Sequence, residues 1–411
     1  MTPVEHVGPA RAMPRLPEFI AIMAAMMALN ALAIDMMLPA LDQIRDDLRV
    51  VGANHQQLVV TSYFVGFALG QLFMGPLSDR FGRRSVLFFG LAGYTVTAFA
   101  AMAAGGLDGL LAARFLQGVA SAAPRVVAIA VIRDVYGGRR MSEVMSFVMM
   151  VFIIVPVLAP SLGAAFLVFG DWRLIFGFLG VAALALLAWT ALRLPETRPP
   201  ESREPLTAAW LFEAVRQAVT TRQTLGYTLA TGFLFGALLA YISSAQQIFT
   251  EVYPFGPWFP VIFASVAIGM AGASLINSQL VERVGMRRLS HAALLGFFAS
   301  GLTLAGFALA MAPPPLLVLL VLLALALFCF GLIMPNFNAL AMEPMGRIAG
   351  TASSVIGALT TAMGAVMGAY VGQTFDGSVT PLAAGFALFP AASLAVVLIT
   401  ERGRLFRATT A

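Results

Sequence analysis

Three ionisable side chains sit in runs that are otherwise apolar: Asp35, Arg114 and Arg125. A charge inside a bilayer costs at least about 2.5–3.5 kcal/mol, and such groups usually mark an ion or substrate pathway. Asp35 is the one carboxylate clearly within an apolar run, and a carboxyl can take up and release a proton where an arginine cannot. The chemistry on offer is proton binding and release near fixed positive charge, so that proton and cargo could compete for one region. Each residue also has a plainer reading. Asp35 could be a structural partner for an arginine, Arg114 a donor to a neighbouring helix's carbonyl, and Arg125 a purely structural group. Asp35 comes late in its run, just before Pro39, which places it in the outer half of the membrane.

Other chemistry is absent. The sequence holds no CxxC, no histidine cluster with metal spacing and no GxSxG elbow. Cys329 is the single cysteine and can form no intrachain disulfide. The three histidines, His6, His55 and His291, are read as lying outside the apolar spans. An enzyme is therefore not expected, nor a metal, nor any cofactor other than the proton as coupling ion.

The elements that must position these residues follow from composition. Of 411 residues, 60% are hydrophobic and 11% charged, where a soluble domain carries about 25% charge. Too few polar residues remain to cover the chain in water, so lipid is the solvent that fits. A spanning helix needs about 20 mostly apolar residues. Such segments run over 17–41, 56–78, 85–105, 108–132, 142–169 and 172–193, then over 223–250, 257–281, 288–311, 314–338, 346–373 and 381–400. Their apolar runs are continuous, without the alternation of a barrel strand. The first is longer than a signal-peptide core and lacks a small-residue cleavage site, so it is read as a retained helix. The fold class is an all-α membrane protein with twelve transmembrane helices.

Arginine placement orients the chain. All 25 cationic residues are arginine; with a cytoplasmic N-terminus, 20 fall on tails and inner loops and three (Arg45, Arg49, Arg173) on outer loops. Both termini are expected to be cytoplasmic, in a bacterial inner membrane. Topology thus accounts for the net charge of +5 without nucleic acid. The polar stretch 193–222 is read as a cytoplasmic linker between an N-terminal six-helix half, 1–192, and a C-terminal half, 223–411. Asp79-Arg80-Phe81-Gly82-Arg83-Arg84 after span 2 is echoed by Glu282-Arg283-Val284-Gly285-Met286-Arg287 after span 8, at a constant offset of 203 residues. Paired six-helix repeats suit a transporter that rocks about a midplane site.

In the first of these loops Gly75 and its neighbours let helices approach closely. Gly82 permits the tight turn. Asp79 can pair with arginines or face the positive N-terminus of another helix. With Arg80, Arg83 and Arg84 it would form a conformational latch. The segment Gly70–Arg84 resembles the loop 2–3 signature of the major facilitator superfamily. Arg114-Phe115-Leu116-Gln117-Gly118 resembles the RxxQG motif of its proton-coupled members. Val155–Gly163 resembles the Pro/Gly motif of its drug:proton antiporters, with Pro156, Pro160 and Gly163 on one helix face. Ala33-Ile34-Asp35-Met36-Met37-Leu38-Pro39 is similar to the D-M-x-L-P motif of the bicyclomycin/chloramphenicol-resistance branch, and Asp171-Trp172-Arg173 and Leu194-Pro195-Glu196-Thr197 also fit it.

The resemblance implies a major facilitator fold and proton-coupled efflux of small amphipathic drugs, with Asp35 and Arg114 as the coupling pair. It also implies that a bend at Pro156 and Pro160 seals against proton leak. An exporter or importer of one specific metabolite is the alternative on the same fold. Candidate cavity residues are Asn30, Gln117, Arg125, Tyr241, Gln246, Asn277, Asn336 and Asn338. The neutral polar groups of the second half are each explained equally by an interhelical hydrogen bond. Arg125 departs from the small residues expected there and would favour anionic or polar substrates. Glu343 is placed in a cytoplasmic gate with Arg347 or the loop 2–3 arginines, as a latch and not a proton carrier. The expected partners are a small-molecule substrate and membrane lipid, and the chain is expected to work as a monomer.

Overall fold

The computed structural model describes residues 13–202 and 208–406; Arg11, Arg203 and Arg407, counted above for orientation, lie outside them. Among the described residues there are twelve helices long and apolar enough to cross a membrane. The first six are α1 (Leu16–Asp35), continued past a break by α2 (Leu41–Asp47), then α3 (Leu58–Phe81), α4 (Arg83–Met102), α5 (Leu107–Val135), α6 (Gly138–Phe169) and α7 (Arg173–Arg193). A short helix, α8 (Ala208–Thr220), lies in the polar stretch between the halves. The second six are α9 (Arg222–Gln247), α10 (Phe259–Val284), α11 (Met286–Ala310), α12 (Leu316–Met342), α13 (Ala349–Gln373) and α14 (Thr380–Thr400).

Helices are the only open-chain solution here, because lipid offers nothing to a free N–H or C=O. Interruptions therefore fall where the sequence supplies a reason. α1 stops at Asp35, since Pro39 lacks an N–H and clashes with a helical preceding turn, and a tight turn at Leu38–Ala40 leads into α2. The α3–α4 and α10–α11 turns each use a glycine with positive φ, Gly82 at +92° and Gly285 at +89°, a conformation that only glycine adopts freely. These are the two positions the 203-residue echo singles out.

Packing repeats as the loops do. In the first half α3 packs on α5, α4 on α5 and α7, and α1 on α6 and α7. In the second α10 packs on α12, α11 on α12 and α14, and α9 on α13 and α14. The halves meet through α3 against α13 and, by the same pseudo-symmetry, α6 against α10. Across the halves neither α5 and α12 nor α1 and α9 pack substantially on each other. Small residues fix the tightest contacts: a Cβ on Gly66 would lie 2.0 Å from the Phe115 carbonyl oxygen, and one on Gly118 2.1 Å from that of Tyr63. Gly163 is held the same way, 2.1 Å from the Met36 oxygen at the α1 break. That contact gives this glycine of the proline-bearing helix α6 a packing role beside Asp35.

Because neither backbone at the α3–α5 crossing can withdraw without breaking its own ladder, Gly118→Val is expected to cost about 1–3 kcal/mol or more. It should lower the thermal midpoint and the monodisperse yield of detergent-purified protein. Gly109→Val is the control, since a Cβ there meets nothing within 4 Å. Equal behaviour of the two variants would refute the close-packing argument.

Candidate functional site

Asp35 ends α1 at the break, 5% exposed, and has no hydrogen bond or ion pair among the described residues. It acts electrostatically on the hydroxyl of Tyr241 in α9, from the opposite half. That hydroxyl is itself buried without a hydrogen-bond partner, and the Tyr241 ring stacks on Phe263 at 5.4 Å. Burying a charge without a partner is costly, so a lone carboxyl changes state with whatever approaches it.

Arg114 is fully buried on α5. Its guanidinium donates to the Gln117 side chain at 2.7 Å, to the Ala33 carbonyl at 2.9 Å and to the Val59 carbonyl at 3.2 Å, and lies 4.4 Å from the Tyr63 ring centre. It is the plainer of its two readings that the contacts follow: Arg114 clamps α1 and α3 onto α5 and makes no ion pair with Asp35. The clamp nonetheless grips α1 two residues before Asp35. Asn30 belongs to the same junction, donating to the Tyr63 hydroxyl at 3.0 Å and the Ser121 hydroxyl at 3.4 Å. The Nε2 of Gln117 is buried and unpartnered. Arg125 is half-buried and lies 5.4 Å from the Phe67 ring centre.

The candidates of the second half separate. Asn336 donates to Asn277 at 2.6 Å and to the Leu332 carbonyl at 2.7 Å, so this pair is an interhelical bond between α12 and α10. Asn338 is exposed. Gln246 lies not mid-cavity but at the end of α9 away from the arginine-rich face, bonded to Asp42 of α2. It belongs to a rim joining the halves there. In that rim Gln57, Gln247 and Asn54 are hydrogen-bonded in a chain, Asn54 donates to the Phe375 carbonyl at 2.8 Å, and Arg45 lies 3.7 Å from Glu251. Apart from Gln246, sequence reading assigned this rim no role, because its partners are up to 321 residues apart.

At the arginine-rich face each half has its own charged cluster. Arg83, 2% exposed, binds Asp79 at 2.7 Å and Asp134 at 2.8 Å, while Glu196 accepts from the Arg83 and Arg84 backbone N–H groups at 2.9 and 3.1 Å. Arg198 adds a contact to Asp79 at 3.1 Å. Arg84 donates to the Ala191 carbonyl, and Arg80, exposed, lies over the Phe81 ring. Asp79 also faces the first turn of α13, where a Cβ on Gly350 would sit 3.9 Å from its Oδ2. Gly75 brings α3 against α13, its would-be Cβ 2.3 Å from the Ser354 hydroxyl. In the second half Arg287 binds Glu401 at 3.1 Å and Glu343 at 3.4 Å, and Tyr227 donates to Glu401 at 2.6 Å. Glu343 also accepts from Gln223 at 2.6 Å. Its gate partner is thus Arg287 of its own half and not the loop 2–3 arginines; nothing is described of the Arg347 side chain. His291 is not outside the spans: it is wholly buried in α11, 3.1 Å from the Tyr227 hydroxyl. Asp134 and Glu343 take corresponding places at the ends of α5 and α12, and Glu196 and Glu401 lie just past the ends of α7 and α14.

This pseudo-twofold arrangement agrees with the family whose profile matches residues 23–369, the Major Facilitator Superfamily. The chain belongs to it. An uncharacterized MFS-type transporter of Bacillus subtilis is 30% identical over 86% of this chain and 88% of its own. A bicyclomycin resistance protein homolog of Haemophilus influenzae is 30% identical over 89% of this chain and 91% of its own. The xylose transporter XylE from E. coli, in a partially occluded inward-open conformation, superposes with a TM-score of 0.73 at 12% identity, covering 96% of this chain and 99% of its own. The protein is therefore a multi-pass membrane transporter of the major facilitator superfamily.

Glu401, just beyond α14, has a checkable pH signature. Burial opposes its charge, but hydrogen bonds from Tyr227 and Arg287 outweigh burial and hold the carboxyl below its ordinary value of 4.5. A carboxyl depressed by folding stabilises the native state above the unfolded value and loses that contribution as pH falls through the folded one. The thermal-stability gap between the wild type and Glu401→Gln should therefore be constant above 4.5 and shrink below it. A gap that stays flat down to acid-induced unfolding would remove Glu401 from the cluster's ionic role.

Proposed function

We propose that this transporter exports small amphipathic compounds, of the chloramphenicol and bicyclomycin kind, from the cytoplasm in exchange for protons. In this reading it sits in a bacterial inner membrane as a monomer with both termini inside. The observation that carries the reading is Asp35: a buried carboxyl at a helix break, without a partner among the described residues and within electrostatic reach of Tyr241 in the other half. A group so placed is neutralised by a proton or engaged by a cargo, and either state would favour the switch between inward and outward forms by differential binding. The bicyclomycin resistance named for the Haemophilus influenzae relative supports the cargo class.

The two faces would serve the switch. The rim of Asn54, Gln57, Gln247 and Asp42–Gln246 holds the outer ends together, while Asp79 against the first turn of α13 engages the inner ends. A negative side chain at a helix N-terminus gains typically 0.3–1 kcal/mol from the helix dipole. That is small enough for cargo binding to overcome. Arg114 holds the α1 break in place through the Ala33 carbonyl, and so would position Asp35 without itself exchanging a proton.

Energised inverted vesicles, challenged with chloramphenicol or bicyclomycin, test this directly. Drug-induced lumenal alkalinisation is expected with the wild type and not with Asp35→Asn. A wild type that binds drug yet moves no protons would overturn the exchange mechanism, and unaltered exchange in Asp35→Asn would remove Asp35 as the carrier.

A further inference from the structure

The charges within the membrane do not cancel. Asp35 stands against Arg114 and Arg125, and the two arginines are in different circumstances. All three nitrogens of Arg114 donate to protein acceptors and the residue is fully buried. Arg125 has no hydrogen bond or ion pair among the described residues; its one recorded contact is the face of Phe67, 5.4 Å away. Phe67 is stacked in turn on Tyr63 at 6.3 Å with the rings 4° from parallel. Two guanidiniums thus cap a two-ring ladder on α3: Arg114 lies over Tyr63, held by carbonyls, and Arg125 over Phe67 with five N–H donors free of protein acceptors.

Among the described residues no carboxylate pairs with it. Arg125 is 11 residues beyond Arg114 on α5, about 16 Å along the axis, whereas Asp35 lies near the level of Arg114, which bonds the carbonyl of Ala33. In the other direction Asp134 is engaged by Arg83 at 2.8 Å. An aromatic face offsets only about 0.5–2 kcal/mol of a guanidinium's need for partners. One turn from Phe67 on α3, Phe64 is set edge-on against Phe235 of α9 across the halves at 6.3 Å.

We propose that Arg125 is the cargo-binding cation of this transporter, and that its ligands are amphipathic organic anions: a single carboxylate or comparable oxyanion on an aromatic or aliphatic body. The inference rests on the transporter reading; it adds an anionic class beside the uncharged chloramphenicol- and bicyclomycin-like cargo proposed above, and does not need proton exchange. A planar guanidinium takes a carboxylate with two parallel hydrogen bonds, and the Phe67 ring lies against that of Arg125.

The test is equilibrium binding by calorimetry to purified protein in lipid nanodiscs with no proton gradient, so that loss of the antiport reading would leave the result standing. The probes are aromatic monocarboxylates of increasing size, from benzoate to naphthoate and longer aryl-alkanoates, each paired with its primary amide. The wild type is expected to prefer acid over amide by at least about tenfold. Arg125→Gln should abolish that preference while retaining amide binding, and Arg125→Lys should keep part of it. A wild type with no acid preference in any pair overturns the proposal, and so does an Arg125→Gln protein that keeps the preference. Amide binding by Arg125→Gln shows that the cavity is intact.

Discussion

No water reaches the hydrocarbon core to satisfy a polar group, so each one must find its partner within the protein or wait for a ligand. Most of this structure follows from that constraint. Arg114 shows it fulfilled: a permanently charged group, fully buried, that satisfies itself on two helix carbonyls, a glutamine and a ring. The clamp ties the first-half helices α1, α3 and α5 into one body, and the glycines of α3 and α5 let their backbones come close enough to make it. Asp35, Tyr241 and Arg125 show it unfulfilled: none of the three has a hydrogen bond or ion pair among the described residues.

Stability and motion are divided between different places. Within a half, helices are joined by tight glycine contacts and by charged clusters with a central arginine, Arg83 in one and Arg287 in the other. Between halves the joins include more polar groups. They comprise the α3–α13 and α6–α10 seams, a rim of amides and one ion pair at the end away from the arginine-rich face, and Asp79 facing the start of α13. Amide hydrogen bonds of net about 0.5–1.5 kcal/mol each can be exchanged as a set for bonds to water. A backbone-on-backbone glycine contact cannot. In the proposed switch these energetics favour each half moving as one body, with the interface between them the part that rearranges.

The two charged clusters also explain why the loop motif is more than a topology signal. Gly82 and Gly285 turn the chain so that Arg83 and Arg287 enter the next helix at the membrane boundary. There each gathers acidic groups from the ends of two later helices or their flanks: Asp134 with Glu196 nearby, and Glu343 with Glu401. The second-half cluster adds a buried His291 against Tyr227, without counterpart in the first.

Much of this was legible in the sequence. Twelve spans, the break before Pro39, the glycine turns 203 residues apart and the face bearing the arginines all follow from local rules, because lipid demands contiguous apolar helices and the chain's chemistry at each point decides where one stops. The residues of interest within the spans were legible too, since Asp35, Arg114 and Arg125 stand out against apolar neighbours. Their partners were not. That Arg114 bonds carbonyls and not Asp35, that Glu343 answers to Arg287, that Asn277 and Asn336 satisfy each other, and that Gln246 belongs to a rim joining the halves depends on which helix faces meet. Residues up to 321 positions apart are brought within hydrogen-bonding distance only by packing. Sequence determines which polar groups enter the membrane; tertiary structure alone decides which of them are satisfied there, because a side chain's partner is a property of the neighbouring helix and not of its own.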